Sequence, residues 1–295
     1  MCLAVLVAIA GMPSTGWSQA TTQSTTAGQP VSDGTAESHA IPAEDRFSVS
    51  LAPYIWLTSL SGTQTVKGVS FDVNESFIDI AENADSVFGL MGAVDVVYKR
   101  FIFQLNGTWT TAEVTEERGV FRNGEVSADV TIDSAWVELI AGYRLIDKPL
   151  VEDADSKRRF TLDAFGGARL TALDVDAKVT ASATVTLPSG IVLNASESRH
   201  QKDSEEWVEP IIGLRAGLNI SEGWELTARG DIGGFGAGSD FAWQALGAVG
   251  YRWHYDTWNF ALYAGYRALG QDYSNGGFGW DMIVHGPVLG MQFLF

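Results

Sequence analysis

The side chains that could do chemistry are few and far apart. The histidines are His39, His200, His254 and His285. Ser198, His200 and Asp203 bring a hydroxyl, an imidazole and a carboxylate into one stretch, the residue types of a hydrolase. A triad needs mutual geometry fixed by a rigid scaffold, which one segment of a long loop does not supply. Gly233 to Gly238 has the glycine density of a phosphate-cradling loop, but no P-loop lysine or helix-forming sequence follows, so a hairpin explains it better. Asp72, Glu75, Asp79, Glu82 and Asp85 offer the oxygen ligands that Ca2+ or Mg2+ favour. Their spacing matches no calcium loop, and a solvated loop face is the simpler reading, as it is for Glu152, Asp153 and Asp155. The single cysteine, Cys2, excludes a disulfide scaffold and a cysteine-ligated metal cluster. No catalytic, cofactor-binding or metal-binding residue is assigned.

The elements that would carry any function read as β-strands. The 295 residues contain 19 Lys plus Arg against 36 Asp plus Glu, and the net charge of −17 argues against a nucleic-acid partner. Hydrophobic residues make up 46%, too many for a disordered chain. No apolar run reaches the eighteen or so residues of a membrane helix. Gly (32 residues) and aromatics (11%) are plentiful, which fits a glycine- and aromatic-rich β protein.

Residues 1–20 read as a secretory signal peptide: an apolar block from Cys2 to Met12, then Ser18 and Ala20 at the positions a signal peptidase reads. No Lys or Arg precedes the block, which points to a start further upstream. Residues 21–45, rich in Ser, Thr, Ala and Gly, read as a flexible linker. Residues 46–295 remain for one folded domain. Its last strand alternates Leu289, Met291, Phe293 and Phe295 on one face and ends on an aromatic. Here the sequence resembles the bacterial outer-membrane β-barrels, a resemblance that implies recognition of this ending by the barrel-assembly machinery. The opening, Pro53 to Leu57 followed by Ser61 to Thr63, together with Phe77 to Ile80, looks like a group of uncharacterised Gram-negative outer-membrane proteins. That likeness implies a fold and a location in the outer membrane, among its lipid and lipopolysaccharide, and no activity.

A membrane barrel demands strands of roughly ten residues with apolar groups towards lipid and polar groups towards the lumen. Phe101, Phe103, Leu105 and Trp109 oppose Gln104, Asn106, Thr108 and Thr110. Val208, Ile212, Leu214 and Leu218 oppose Glu209, Arg215 and Asn219. The faces read as interior hold the acids Asp95, Glu138, Asp163, Glu209, Glu225 and Asp231. They also hold the bases Lys99, Arg144, Arg169, Arg215, Arg229, Arg252 and Arg267. Such a near-neutral set predicts ion-paired layers, because unpaired charges away from water are costly. Tyr98, Tyr143, Trp224, Tyr251 and Trp258 lie near the proposed inner turns and would form an aromatic girdle. Asn74 to Asp85 could form a short helix inside a loop.

Short connections at Lys99-Arg100, Ser221 to Gly223 and Asp256-Thr257, and a longer one from Ile146 to Lys157, suit periplasmic turns. Ser61–Asp85, Thr115–Glu125, Asp174–Glu206, Gly234–Asp240 and Asp272–Gly279 suit extracellular loops. Threading both sets predicts an all-β, antiparallel up-and-down transmembrane barrel of about ten strands, with eight or twelve as alternatives. The expected function is that of a non-enzymatic outer-membrane barrel: a narrow or plugged porin-like channel, or a structural and surface protein. A lipid-modifying outer-membrane enzyme and a soluble periplasmic barrel binding a small ligand are the competing readings.

Overall fold

The computed structural model describes residues 47–295 apart from 67, 121–123, 151–157, 187–191 and 255–258. The proposed signal peptide, the linker and Trp258 lie outside the described residues.

Twelve strands and one helix follow in order: β1 (Phe47–Trp56), β2 (Ser59–Val66), β3 (Val69–Glu75), α1 (Phe77–Asn83), β4 (Ser86–Tyr98), β5 (Phe101–Val120), β6 (Gly124–Pro149), β7 (Arg159–Thr186), β8 (Val192–Asn219), β9 (Trp224–Ala237), β10 (Ser239–His254), β11 (Asn259–Asn275) and β12 (Phe278–Leu294). Strands β4 to β12 pair antiparallel in sequence order, and β1 joins β4 to β12, so ten strands close a ring. Closure removes the free edges that an open sheet would expose to hydrocarbon. The last residue takes part: Val49 and Phe295 exchange backbone hydrogen bonds of 3.3 and 2.9 Å.

The outer surface of the ring is apolar where it meets lipid. Phe103, Leu139, Val208, Leu214, Val249 and Leu289 are exposed on it, while their neighbours along each strand turn inward. That is the arrangement hydrocarbon imposes, since one unpaired base there costs about 2–4 kcal/mol at mid-bilayer. This band and the closed ring together make the chain an outer-membrane β-barrel.

Several of the expected loops are structured, Thr115–Glu125 among them, where β5 runs on to Val120 and β6 resumes at Gly124. Ser61–Asp85 is largely structured: β2 and β3 form a hairpin beside the far half of β12, followed by α1. Ser76 caps α1 by a reciprocal box, its hydroxyl accepting from Asp79 N–H while Asp79 accepts from Ser76 N–H. Those hydrogen bonds hold the Asp79 carboxyl below its ordinary value. Residues 174–186 and 192–206 are strand rather than loop, because β7 and β8 keep pairing out to Thr186 and Val192. With 28 residues each, against the 9–11 or so that cross a bilayer, these strands project well beyond the membrane.

Candidate functional site

The lumen is where functional side chains converge, and it is built in three layers. At the end carrying Phe47 and Phe295 lies an open vestibule of about 660 Å3. Its wall is made of cross-strand ion pairs. Arg144 Nε meets Asp163 Oδ1 at 2.8 Å, and Arg215 spans Asp95 (2.9 Å) and Asp163 (3.4 Å). Arg252 meets Glu225 at 2.9 Å, and the Tyr263 hydroxyl donates to the same carboxylate.

The second layer links side chains of β6 to β11. Arg169 on β7 is its hub: Nε to Glu138 on β6 (2.9 Å), Nη1 to Glu209 on β8 (2.9 Å) and Nη2 to Asp231 on β9 (2.6 Å). Glu138 also receives Arg229 (2.9 Å) and Arg267 (3.4 Å), which brings β11 into the same cluster. Gln244 on β10 bonds Glu138, Asp231 and Arg267, and Gln271 bonds Glu209 and Thr171. Glu138, Arg169 and Glu209 are 0% exposed. Buried charges are costly unless they are paired and hydrogen-bonded, and here Gln244, Gln271, Asn106 and the Ser239 hydroxyl add bonds to the carboxylates that the arginines reach.

The third layer is apolar. Trp56, Trp136, Trp207, Leu269, Tyr273, Trp280, Met282 and Val284 form one buried cluster above the charged floor. Arg267 lies 4.5 Å over the Trp56 ring, and Trp136 Nε1 donates to Gln271 at 3.1 Å, so the two layers are joined. Trp207 and Tyr273 stack at 4.1 Å.

Of the predicted lumen residues, Lys99 requires a correction. It sits in the β4–β5 turn at φ 57°, exposed, with Nζ 5.6 Å from the Tyr98 ring. The inward face ends with Val97, and a turn residue has no lumen side. The other twelve predicted residues do line the interior, six acids against six arginines. Sequence reasoning missed the apolar layer, although the signal was present: Trp136 and Trp207 lie two residues from Glu138 and Glu209 and so share their inward face. Tyr98, Tyr143 and Trp224 are exposed at the terminal end, and Tyr251 packs edge-on against both Trp224 and Trp253. Leu289, Met291, Phe293 and Phe295 share the outward face of the C-terminal strand and its end.

The candidate chemical residues do not converge. Asp203 lies an odd number of positions from Ser198 and His200, so the strand turns it to the opposite face. His200 Nε2 instead lies 2.6 Å from Asp176 on the outer surface, and His285 Nδ1 lies 2.6 Å from the Tyr266 hydroxyl. Within the acid-rich loop, Asp72 accepts from Thr63, Asp79 caps α1 and Asp85 accepts from Thr115 N–H. Gly234, Gly236 and Gly238 adopt positive φ in the β9–β10 turn.

No protein-family model and no curated protein matches the sequence. Solved outer-membrane barrels are similar in fold. The outer-membrane protease OmpT of Escherichia coli matches at 11% identity and a TM-score of 0.47, over 84% of this chain and 97% of that one. Ail, the attachment invasion locus protein of Yersinia pestis, matches at 11% identity and a TM-score of 0.28, over 85% and 99%. A FadL homologue of Pseudomonas aeruginosa matches at 9% identity and a TM-score of 0.25, over 84% and 89%.

Proposed function

We propose that this protein is a non-enzymatic outer-membrane barrel with a plugged lumen, acting through its place in the membrane and its projecting surface rather than by passing solute. The observation that carries this reading is the Arg169-centred layer, which ties β6, β7, β8 and β9 together across the interior with no solvent exposure at the hub. An apolar layer of buried side chains lies above it and supports the same reading. Water-filled channels keep their polar lumens open; here side chains fill it, as a small barrel allows.

The projecting sheet offers a surface of mixed charge. Lys202 meets Asp174 at 3.2 Å, Lys178 lies 3.9 Å from Asp129, and His200 meets Asp176. This face stands where lipopolysaccharide head groups would lie, which makes lipid and lipopolysaccharide the proposed partners outside. The barrel-assembly machinery, through Leu289, Met291, Phe293 and Phe295, is the proposed partner inside. Conductance of the purified protein in planar lipid bilayers tests the plugged reading. A silent bilayer is expected, and resolved single-channel steps would overturn it. Overexpression is expected to leave lipid A and phospholipids unaltered; a change abolished by His200→Ala or His285→Ala would favour a lipid-modifying enzyme.

A further inference from the structure

The ladder between β1 and β4 is incomplete on the far side. The β1–β4 ladder stops at Pro53–Gly92, although β4 continues along β5 as far as Ser86. Beyond that point the chain leaves β1 through Leu57 and Thr58 and enters β2, which stays beside β12. It then runs back along β3, which pairs with the edge of β2 turned away from β12, and reaches β4 through α1, with no ladder between β3 and β4 among the described residues. Phe77 N–H donates to Ser59 Oγ at the start of that passage, and Asp85 N–H donates to the Glu113 carbonyl at its end, each at 3.0 Å. Ser86–Met91 therefore has a strand partner towards β5 and no ladder partner towards β1, over roughly 20 Å at about 3.3 Å per residue. A side chain stands in at the ladder's end: Trp56 N–H donates to the Met91 sulfur at 3.1 Å.

The chemistry around this slot is hydrocarbon. Ile55 on β1 and Phe88 and Leu90 on β4 are exposed at its outer margin, in line with the lipid-facing residues Leu51 and Val94 of the same strands. The slot thus opens within the apolar band. Val87, on the lumen side of β4 by strand alternation, is 51% exposed, while its cross-strand partner Ala112 and nearby Thr110 on β5 are 0% and 4% exposed. Deeper in lie Met91, Trp56 and Trp136, members and neighbours of the apolar layer. The buried Trp56 indole N–H has no acceptor among the described residues. A sheet edge left unpaired at membrane depth persists only where something covers it.

We propose that the slot between β1 and β4 is a lateral docking site for the acyl chain of a membrane lipid, entering between Ile55 and Leu90 and ending against Met91 and Trp56. Acyl chains are the species present at that depth. A peptide strand arriving from outside the cell is blocked because α1 bridges the top of the slot. The apolar layer of the lumen would then be reached from the bilayer and not from water.

Two measurements on the full barrel in phosphatidylcholine vesicles test this, whether or not the lumen conducts. In the first, the unaltered protein is irradiated with a phosphatidylcholine bearing a diazirine on its acyl chain, and the adducts are mapped by mass spectrometry. Adducts on Met91, Val87 or Trp56 are expected besides those on outward residues; adducts confined to outward residues such as Phe103 and Leu214 overturn the proposal. In the second, nitroxides are placed at Val87→Cys, Val94→Cys and Thr110→Cys in a Cys2→Ser background. The label at 87 is expected to collide with oxygen as often as the lipid-facing label at 94, and several-fold more often than the label at 110. A label at 87 shielded like the one at 110, or relaxed mainly by a water-soluble nickel chelate, overturns it.

Discussion

Arg169 on β7 and Glu138 on β6 face each other across one rung of the ladder, with Arg169 Nε donating to Glu138 Oε1 at 2.9 Å and neither side chain reaching solvent. Because Arg169 also serves Glu209 and Asp231, removing it weakens the pairing of three carboxylates at once: Glu138 and Asp231 keep Arg229, while Glu209 is left with the amide of Gln271 and the hydroxyl of Ser239 among the described residues. Arg169→Met is therefore expected to destabilise the barrel by about 3–5 kcal/mol, the usual effect of breaking a buried charge pair. Urea unfolding in detergent, followed by the gel shift between folded and boiled barrel, reads the loss.

The outer band predicts a dependence on depth along a single strand. Leu214 and Ser204 occupy the same outward face of β8, Leu214 within the apolar band and Ser204 above it. Leu214→Arg is expected to cost about 2–4 kcal/mol and Ser204→Arg at most about 1 kcal/mol. Equal effects in vesicle unfolding would mean that the band has been misplaced.

Acid should relieve one strain at the far rim. Asp272, beyond the apolar band, has its carboxyl pushed up from 3.8, first by partial burial and then by Asp281 and Asp240. A carboxyl raised on folding makes the ionised native state less favourable. The penalty is absent below the unfolded value near 3.8, grows as pH rises and is complete above the folded value. Asp272→Asn is expected to raise the unfolding midpoint at pH 7, by less than about 1 kcal/mol for so exposed a group. At pH 3 it is expected to change nothing. Thermal melts at the two pH values separate these outcomes.

Close backbone approach sets a further limit. A Cβ on Gly167 would lie 2.1 Å from the Leu139 carbonyl oxygen, whereas one on Gly107 would meet nothing within 4 Å. Gly167→Ala is expected to cost about 1–3 kcal/mol, as overpacking does, and Gly107→Ala to be close to neutral. Refolding yield and urea midpoint provide the comparison.

The ring and its two faces were legible in the sequence because lipid outside and packed charge inside impose opposite demands on neighbouring residues. Arg144, Arg169 and Arg215 alternate with Tyr143, Leu170 and Leu214, and that alternation specifies inward and outward without any tertiary information. Outside the membrane the demand lapses. Asp174, Asp176, Lys178, His200 and Lys202 are polar whichever way they point, so the extension of β7 and β8 read as loop. Lys99 was misplaced by carrying the alternation one residue past the strand into a turn. The apolar layer was masked because tryptophan suits a lipid face as well as a packed interior, and only its register with Glu138 and Glu209 distinguishes the two. The gap beside β4 depends on where the β1 ladder ends, a relation between distant segments that no local pattern encodes.

The twelve residues of the lumen ion pairs described above, six carboxylates set against six guanidinium groups, carry no net charge between them. An applied voltage does work on net charge, about 2.3 kcal/mol per elementary charge for each 100 mV, and it would find none there to displace. On the plugged reading proposed above, the lumen would then stay closed equally at either polarity, whereas one closed by a lone charged side chain would yield to one of them.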